Sequence, residues 1–226
     1  MLHLYWGDGK GKTTAAMGLA LRALGHGRRV VILQFLKDGS SGEIEMLRRC
    51  GAAVYACPNA KFTWLMTDAE RAEARRTNTR TLQTILQGSF DLLVLDEATS
   101  GLDPAARSEI LDILLDFIQD ERHSVLLSSH ITTDLEQIAD TIAYLHHGQL
   151  LFAKNKDDLM EEYGILRCSQ QDLDRLPPEW IATTCRTAAG CESLVHPRVS
   201  VLRTLPGVVC DAASIDDIMR LTSKEG

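Results

Sequence analysis

The sequence predicts an α/β fold, a mainly parallel central sheet flanked by helices, followed by a small C-terminal α+β lobe. Three observations carry this. Residues 29–36 and 90–95 are almost wholly apolar, as strands buried on both faces must be. Such runs alternate with longer stretches of helical periodicity, the order that a parallel sheet with crossover helices requires. After about Gly164 the alternation weakens, and Pro177-Pro178, Pro197 and Pro206 interrupt short strand-like runs. The expected division is therefore a nucleotide-type domain over 1–164 and a small extension over 165–226.

In chain order, residues 3–6 read as a first strand. Residues 12–24, rich in Ala, Leu and Met, read as a helix closed by Gly25 and Gly27. Residues 29–36 form the second strand, 43–49 a short helix and 52–56 a third strand. Residues 68–87 read as a long polar helix whose acidic start, Asp68–Glu73, is a solvated face favoured by the helix dipole. Residues 90–95 form the next buried strand. Residues 104–119 begin with Pro104 in the first turn and repeat apolar residues at Ile110, Leu111, Leu114, Leu115 and Ile118, a helical pattern. A strand at 124–128, a helix at 133–139 and a hairpin of 142–146 with 149–153 across His147-Gly148 complete the first domain. His146 and His147 read as hairpin residues. A last helix is expected near 215–221.

Composition narrows the function classes. The chain has 226 residues, 45% apolar, enough for a sizeable core. No apolar run reaches the ~18 residues of a membrane-spanning helix. Residues 1–6 run straight into Gly7-Asp8-Gly9, which is no secretory leader. The formal charge of −7 argues against a nucleic-acid partner, whose affinity comes from clustered Lys and Arg. Cys50, Cys57, Cys168, Cys185, Cys191 and Cys210 contain no Cys-x-x-Cys pair. They read as reduced thiols of a cytoplasmic protein, with a metal site from Cys185 and Cys191 as the alternative.

The chemistry concentrates in two places. Gly9-Lys10-Gly11-Lys12-Thr13-Thr14 follows a strand and opens a helix, the setting of a phosphate loop. Glycines turn backbone N–H groups inward around phosphate oxygens, and the helix N-terminus adds partial positive charge. Lys12 supplies a full charge, and the Thr13 hydroxyl is a magnesium ligand. The common loop has its first glycine five residues before the Gly-Lys-Thr glycine. Here Trp6 stands in that place, and the glycines are Gly7, Gly9 and Gly11. The second place is Leu92-Leu93-Val94-Leu95-Asp96-Glu97. A buried strand delivers Asp96 to the sheet edge, where it can hold magnesium, and Glu97 beside it can polarise a water. Together these halves predict the P-loop NTPase arrangement with bound ATP and Mg²⁺.

Two resemblances meet in that acidic strand. Residues 2 to about 97 resemble the bacterial ATP:corrinoid adenosyltransferases. The matching stretches are Gly7-Asp8-Gly9-Lys10-Gly11-Lys12-Thr13-Thr14-Ala15-Ala16, Val31-Ile32-Leu33-Gln34-Phe35-Leu36-Lys37, Phe62-Thr63-Trp64 and Asp91-Leu92-Leu93-Val94-Leu95-Asp96-Glu97. A loop lacking glycine at position 6 is a mark of that family. Residues from about 91 to the end are similar to ABC-transporter ATPase subunits. Leu95-Asp96-Glu97-Ala98-Thr99-Ser100-Gly101-Leu102-Asp103-Pro104 resembles their acidic strand and D-loop, and Leu126-Leu127-Ser128-Ser129-His130 their switch-histidine strand. Residues 142–152 resemble the following hairpin, and Ser214-Ile215-Asp216-Asp217-Ile218-Met219 an exporter-type extension. The chain reads as a fusion at 91–97, and no Leu-Ser-Gly-Gly-Gln signature is found.

The first resemblance implies transfer of the adenosyl group of ATP to cobalt(I) of a corrinoid, with triphosphate leaving. It implies ATP on Gly7, Asp8, Gly9, Lys10, Gly11, Lys12, Thr13 and Thr14, magnesium on Thr13 and Asp96, and Phe62 and Trp64 under the corrin. The second implies ATP hydrolysis with Glu97 as base and His130 on the γ-phosphate, driving a membrane permease. A homodimer is compatible with either. A third reading is a non-catalytic ATP-binding chimera.

Overall fold

A computed structural model describes residues 1–7, 10–35, 37–56, 66–97, 104–129, 138–187 and 190–222. Its central sheet has strands β1 (Leu2–Trp6), β2 (Val30–Gln34), β3 (Ala53–Ala56), β4 (Leu92–Asp96), β5 (Val125–Ser129), β6 (Thr141–His146) and β7 (Gln149–Asn155). They lie in the order β3-β2-β4-β5-β1-β6-β7. The pairs β2–β3, β2–β4, β4–β5, β1–β5 and β1–β6 are all parallel. The fold is thus α/β with a mostly parallel sheet, of the P-loop NTPase kind. Strand β1, which leads into the phosphate loop, lies inside the sheet between β5 and β6.

The helices of this part are α1 (Lys12–Gly25), α2 (Gly42–Arg49), α3 (Asp68–Leu86) and α4 (Pro104–Ile118). On one face, Ala16, Met17 and Ala20 of α1 and Ile44 and Leu47 of α2 pack on Val30, Ile32, Leu92, Val94 and Leu126. Small residues along α1 bring its backbone close to the sheet, so that its N-terminus arrives at the C-terminal edge of the strands. Helix α3 opens with a capping box: Thr67 accepts from the Glu70 N–H, and the Glu70 carboxylate accepts from the Thr67 N–H.

Strand β2 is shorter than the expected 29–36. Arg29 is held outside it, its N–H donating to the Asp91 carboxylate at 2.8 Å. At the turn between β6 and β7, His147 and Gly148 have φ of 46° and 80°, the left-handed pair of a type I′ hairpin. The helix expected at 133–139 lies largely outside the described residues.

The chain divides into two compact units, Met1–Ala153 and Lys154–Gly226. The second has its own four-stranded antiparallel sheet in the order β11-β8-β10-β9, from β8 (Gly164–Cys168), β9 (Ile181–Thr187), β10 (Gly190–Val195) and β11 (Val209–Ala212). Helices α5 (Lys156–Glu162), α6 (Gln170–Leu173), α7 (Arg198–Thr204) and α8 (Ile215–Thr222) accompany it. Its core gathers Leu166, Leu173, Leu176, Cys191, Val195, Val201, Leu205 and Cys210. Cys191 lies opposite Arg186 and Cys185 opposite Glu192, so the two thiols point to opposite faces of the sheet. They cannot share a metal ion. Cys50, Cys168, Cys185, Cys191 and Cys210 are free thiols. No helix among the described residues is long and apolar enough to cross a membrane.

Candidate nucleotide and metal site

The site is built at the C-terminal edge of three neighbouring strands. Register sets Gln34 of β2 beside Asp96 of β4, and Asp96 beside Ser128 of β5. All three side chains are buried. Helix α1 brings Thr13 in from above. One Asp96 oxygen accepts from the Thr13 hydroxyl at 3.0 Å and from the Ser128 hydroxyl at 2.9 Å. The other accepts from the Gln34 amide at 3.0 Å and from the Lys37 ammonium at 2.8 Å. Lys37 also donates to the Thr13 hydroxyl at 3.2 Å.

Burial pushes the Asp96 carboxyl upward. The Lys37 hydrogen bond and charge, then the Gln34 and Ser128 hydrogen bonds, outweigh it and hold the group below the ordinary carboxylate range. Asp96 is therefore an anion at neutral pH.

These residues fit magnesium. The donors are hard oxygens, a hydroxyl and a carboxylate within hydrogen-bond distance of each other, the set this ion prefers. The Gln34 Oε1 atom is buried without a hydrogen-bond partner among the described residues. It belongs to the amide whose Nε2 donates to Asp96, and as a hard acceptor it suits a metal-bound water, the ligand that magnesium usually retains.

The phosphate loop shows why two of its glycines are glycines. Gly7 has φ of 140°, and a Cβ there would sit 1.7 Å from the Leu145 carbonyl oxygen of β6. Gly11 has φ of 122° at the start of α1. Only glycine adopts such angles without strain. Trp6 ends β1 with its indole buried against Tyr144 of β6, ring centroids 4.7 Å apart. The position that carries glycine in the common loop here serves the core. Lys12 is buried, and its ammonium donates to the Gly7 carbonyl at 2.5 Å, folded back across the loop.

Beside the loop lies an open cleft of about 640 Å³, lined by Lys10, Gly11, Thr14, Ala15, Leu145, His147 and Gly148. The β6–β7 turn forms its far wall. Glu97 follows Asp96 with φ of 57°, unusual for a residue other than glycine, and its N–H donates to the Ser128 hydroxyl at 3.1 Å.

Of the residues singled out in the sequence, Thr13 and Asp96 meet directly, Gly7, Gly11 and Lys12 form the loop, Lys10 and Thr14 face the cleft, and Glu97 adjoins the carboxylate. Asp8, Gly9, Phe62, Trp64 and His130 lie outside the described residues. Gln34, Lys37 and Ser128 were missed as site residues. The available signal was Gln34, a polar side chain closing a strand that is otherwise wholly apolar; buried polar groups demand a partner.

With this geometry in hand, comparison with known proteins decides the family. A sequence model of the ATP:corrinoid adenosyltransferase BtuR/CobO/CobP family matches residues 1–157. The chain belongs to this family. The corrinoid adenosyltransferase of Escherichia coli K12 is 30% identical over 151 residues, covering 64% of this chain and 76% of that protein. That of Pseudomonas aeruginosa PAO1 is 37% identical over 106 residues, covering 45% and 52%. The C-terminal region is also similar to ABC-transporter ATP-binding proteins. The bacitracin transport ATP-binding protein BcrA of Enterococcus faecalis is 39% identical over 69 residues, covering 30% of this chain and 22% of that protein. The family match thus extends past residue 97, through β5, β6 and β7, strands that also resemble the ABC ATPases.

Proposed function

We propose that the chain is an ATP-dependent corrinoid adenosyltransferase. The observation that carries the reading is the cradle of Thr13, Gln34, Lys37 and Asp96 beside a phosphate loop with Trp6 in place of glycine, in a chain of this family. The reaction is attack of cobalt(I) of the reduced corrinoid substrate on the ribose 5′-carbon of ATP. The cobalt–carbon bond forms as the carbon–oxygen bond breaks, and triphosphate departs with the bonding pair. Chemically this asks for fixed, charge-neutralised phosphates and needs no activated water.

The residues divide the work accordingly. The loop backbone and the α1 N-terminus bind the phosphates, and Lys12, released from the Gly7 carbonyl, neutralises them. Thr13 and Asp96 would hold magnesium, which when bound offsets charge on the leaving triphosphate. Gln34 and Ser128 keep the Asp96 carboxylate ionised and oriented. Phe62 and Trp64 are assigned to the corrin face by the family resemblance.

The second reading, ATP hydrolysis of the ABC type with a membrane permease as partner, is favoured by the C-terminal similarity and by Glu97 beside the metal cradle. Substitutions separate the two. Under the transferase reading, Trp64→Ala lowers corrinoid turnover at least about 100-fold and leaves ATP affinity unchanged, while His130→Ala has little effect. Under hydrolysis, Glu97→Gln and His130→Ala suppress phosphate release by about 100-fold, the scale of one lost base or transition-state donor, and Trp64→Ala is silent.

A further inference from the structure

The ammonium of Lys37 lies between the Asp96 carboxylate, at 2.8 Å, and the Thr13 hydroxyl, at 3.2 Å. Those are the two oxygens to which magnesium is assigned above. We propose that Lys37 is an internal cation that holds the metal cradle in the nucleotide-free protein, leaves it when metal and nucleotide arrive together, and then contacts the phosphates.

Geometry makes the two cations mutually exclusive. Magnesium binds oxygen at about 2.0–2.1 Å and demands near-octahedral ligands. An ammonium already within hydrogen-bond distance of both oxygens fills the space that the ion and its waters need. Two cations in one small buried site also repel strongly, because the dielectric screening there is weak. The Asp96 side chain is fully buried and must be compensated, whereas the Lys37 side chain is 39% exposed and has a route outward. Lys37 follows β2 closely, three residues after Gln34, so rotation of its flexible stem withdraws the charge without moving the strand.

The consequence is coupling. A bare divalent ion has to expel Lys37 into water and gains only part of a ligand set. A divalent ion carrying ATP brings anionic phosphates to which the displaced ammonium can turn. Metal and nucleotide therefore bind together, and each strengthens the other through Lys37. Lys37 acts twice, against free metal and for metal-bound nucleotide. A residue that merely supports the fold would change both affinities in one direction.

This inference rests on the ATP reading above, but its test involves neither corrinoid nor phosphate release. Binding of Mn²⁺ to the full chain is followed by the loss of the free-ion electron paramagnetic resonance signal, and binding of Mn²⁺·ATP by calorimetry. Lys37→Met should bind Mn²⁺ alone at least about tenfold more tightly than the wild type and Mn²⁺·ATP about tenfold more weakly, the usual range of such couplings. Lys37→Arg should keep free-ion binding weak. If Lys37→Met does not fold, judged by circular dichroism, Lys37→Gln replaces it, since its amide can still donate to Asp96. Unchanged or weaker binding of free Mn²⁺ in the folded variant overturns the proposal. Absence of adenosyl transfer by the wild type, with the opposed metal pattern of the variant intact, would overturn the functional reading and leave this one standing.

Discussion

Lys12 and Gly7 make opposite demands on the phosphate loop. In the proposed ATP site Lys12 must be charged and mobile, since its ammonium rests on the Gly7 carbonyl and would have to turn to phosphate. Lys12→Ala should weaken ATP binding by about 2–4 kcal/mol, the scale of a charge-assisted contact in a partly desolvated site. Calorimetry giving the wild-type affinity would contradict the assignment of the loop. Gly7 must carry no side chain, because a Cβ would meet the Leu145 carbonyl at 1.7 Å and φ is 140°. Gly7→Ala should cost at least about 2 kcal/mol of stability from backbone strain alone, seen as a lower thermal midpoint. A midpoint within a degree of wild type would mean the approach of β6 is not as close as described. Asp96 links the site to pH. Its folded carboxyl lies below the ordinary value, so the stability it adds is complete above about pH 3.9 and is lost as pH falls through the lower folded value. Ser128→Ala removes one donor to Asp96, which raises the folded value. Its acid-unfolding midpoint, followed by tryptophan fluorescence, should move to higher pH, and an unchanged midpoint would contradict this.

At the scale of elements, the parts with strong periodicity were legible in the sequence and the parts fixed by side-chain interactions were not. The run at 90–95 and the Ala-rich stretch at 12–24 became β4 and α1 because a buried strand and a sheet-facing helix leave few other choices. The start of β2 is marked by Asp91 capturing the Arg29 N–H, a contact between residues remote in sequence. The cluster around the Asp96 carboxylate was half legible. Asp96 and Thr13 belong to motifs with fixed chemistry, whereas Ser128 and Lys37 enter only through strand register and a tertiary turn. In the second unit, prolines and short runs gave no period to read, and its four-stranded sheet emerges from non-local pairing. The capping box of α3 shows how local such signals can be. Its Thr67 and Glu70 lie three residues apart at a polar helix start. Thr67→Ala should destabilise by about 1 kcal/mol, measured by urea denaturation. No loss would show that this helix start is held by other contacts.

On the scale of the whole molecule, the two resemblances do not correspond to two bodies. Among the described residues, strand β1, from the segment read as adenosyltransferase-like, pairs with β5 and β6, both from the segment read as ABC-like. Strand β4, where the resemblances meet, joins β2 to β5. Neither segment can close the sheet without the other, which accords with a family match running through to residue 157. A fragment of residues 1–97 leaves β1 without a neighbour on either side, and it should show no cooperative unfolding by circular dichroism. A folded, cooperative fragment would refute the interleaved sheet. The sheet brings one loop, one helix N-terminus and three strand ends to one edge, and we propose that this edge serves adenosyl transfer. The most direct measurement is to incubate the protein with Mg²⁺, ATP and a chemically reduced corrinoid, reading adenosylcorrinoid absorbance and the released anion together. The expected result is adenosylcorrinoid and triphosphate in equal amounts. Orthophosphate without adenosylcorrinoid, or ATP binding with no product at all, would contradict it.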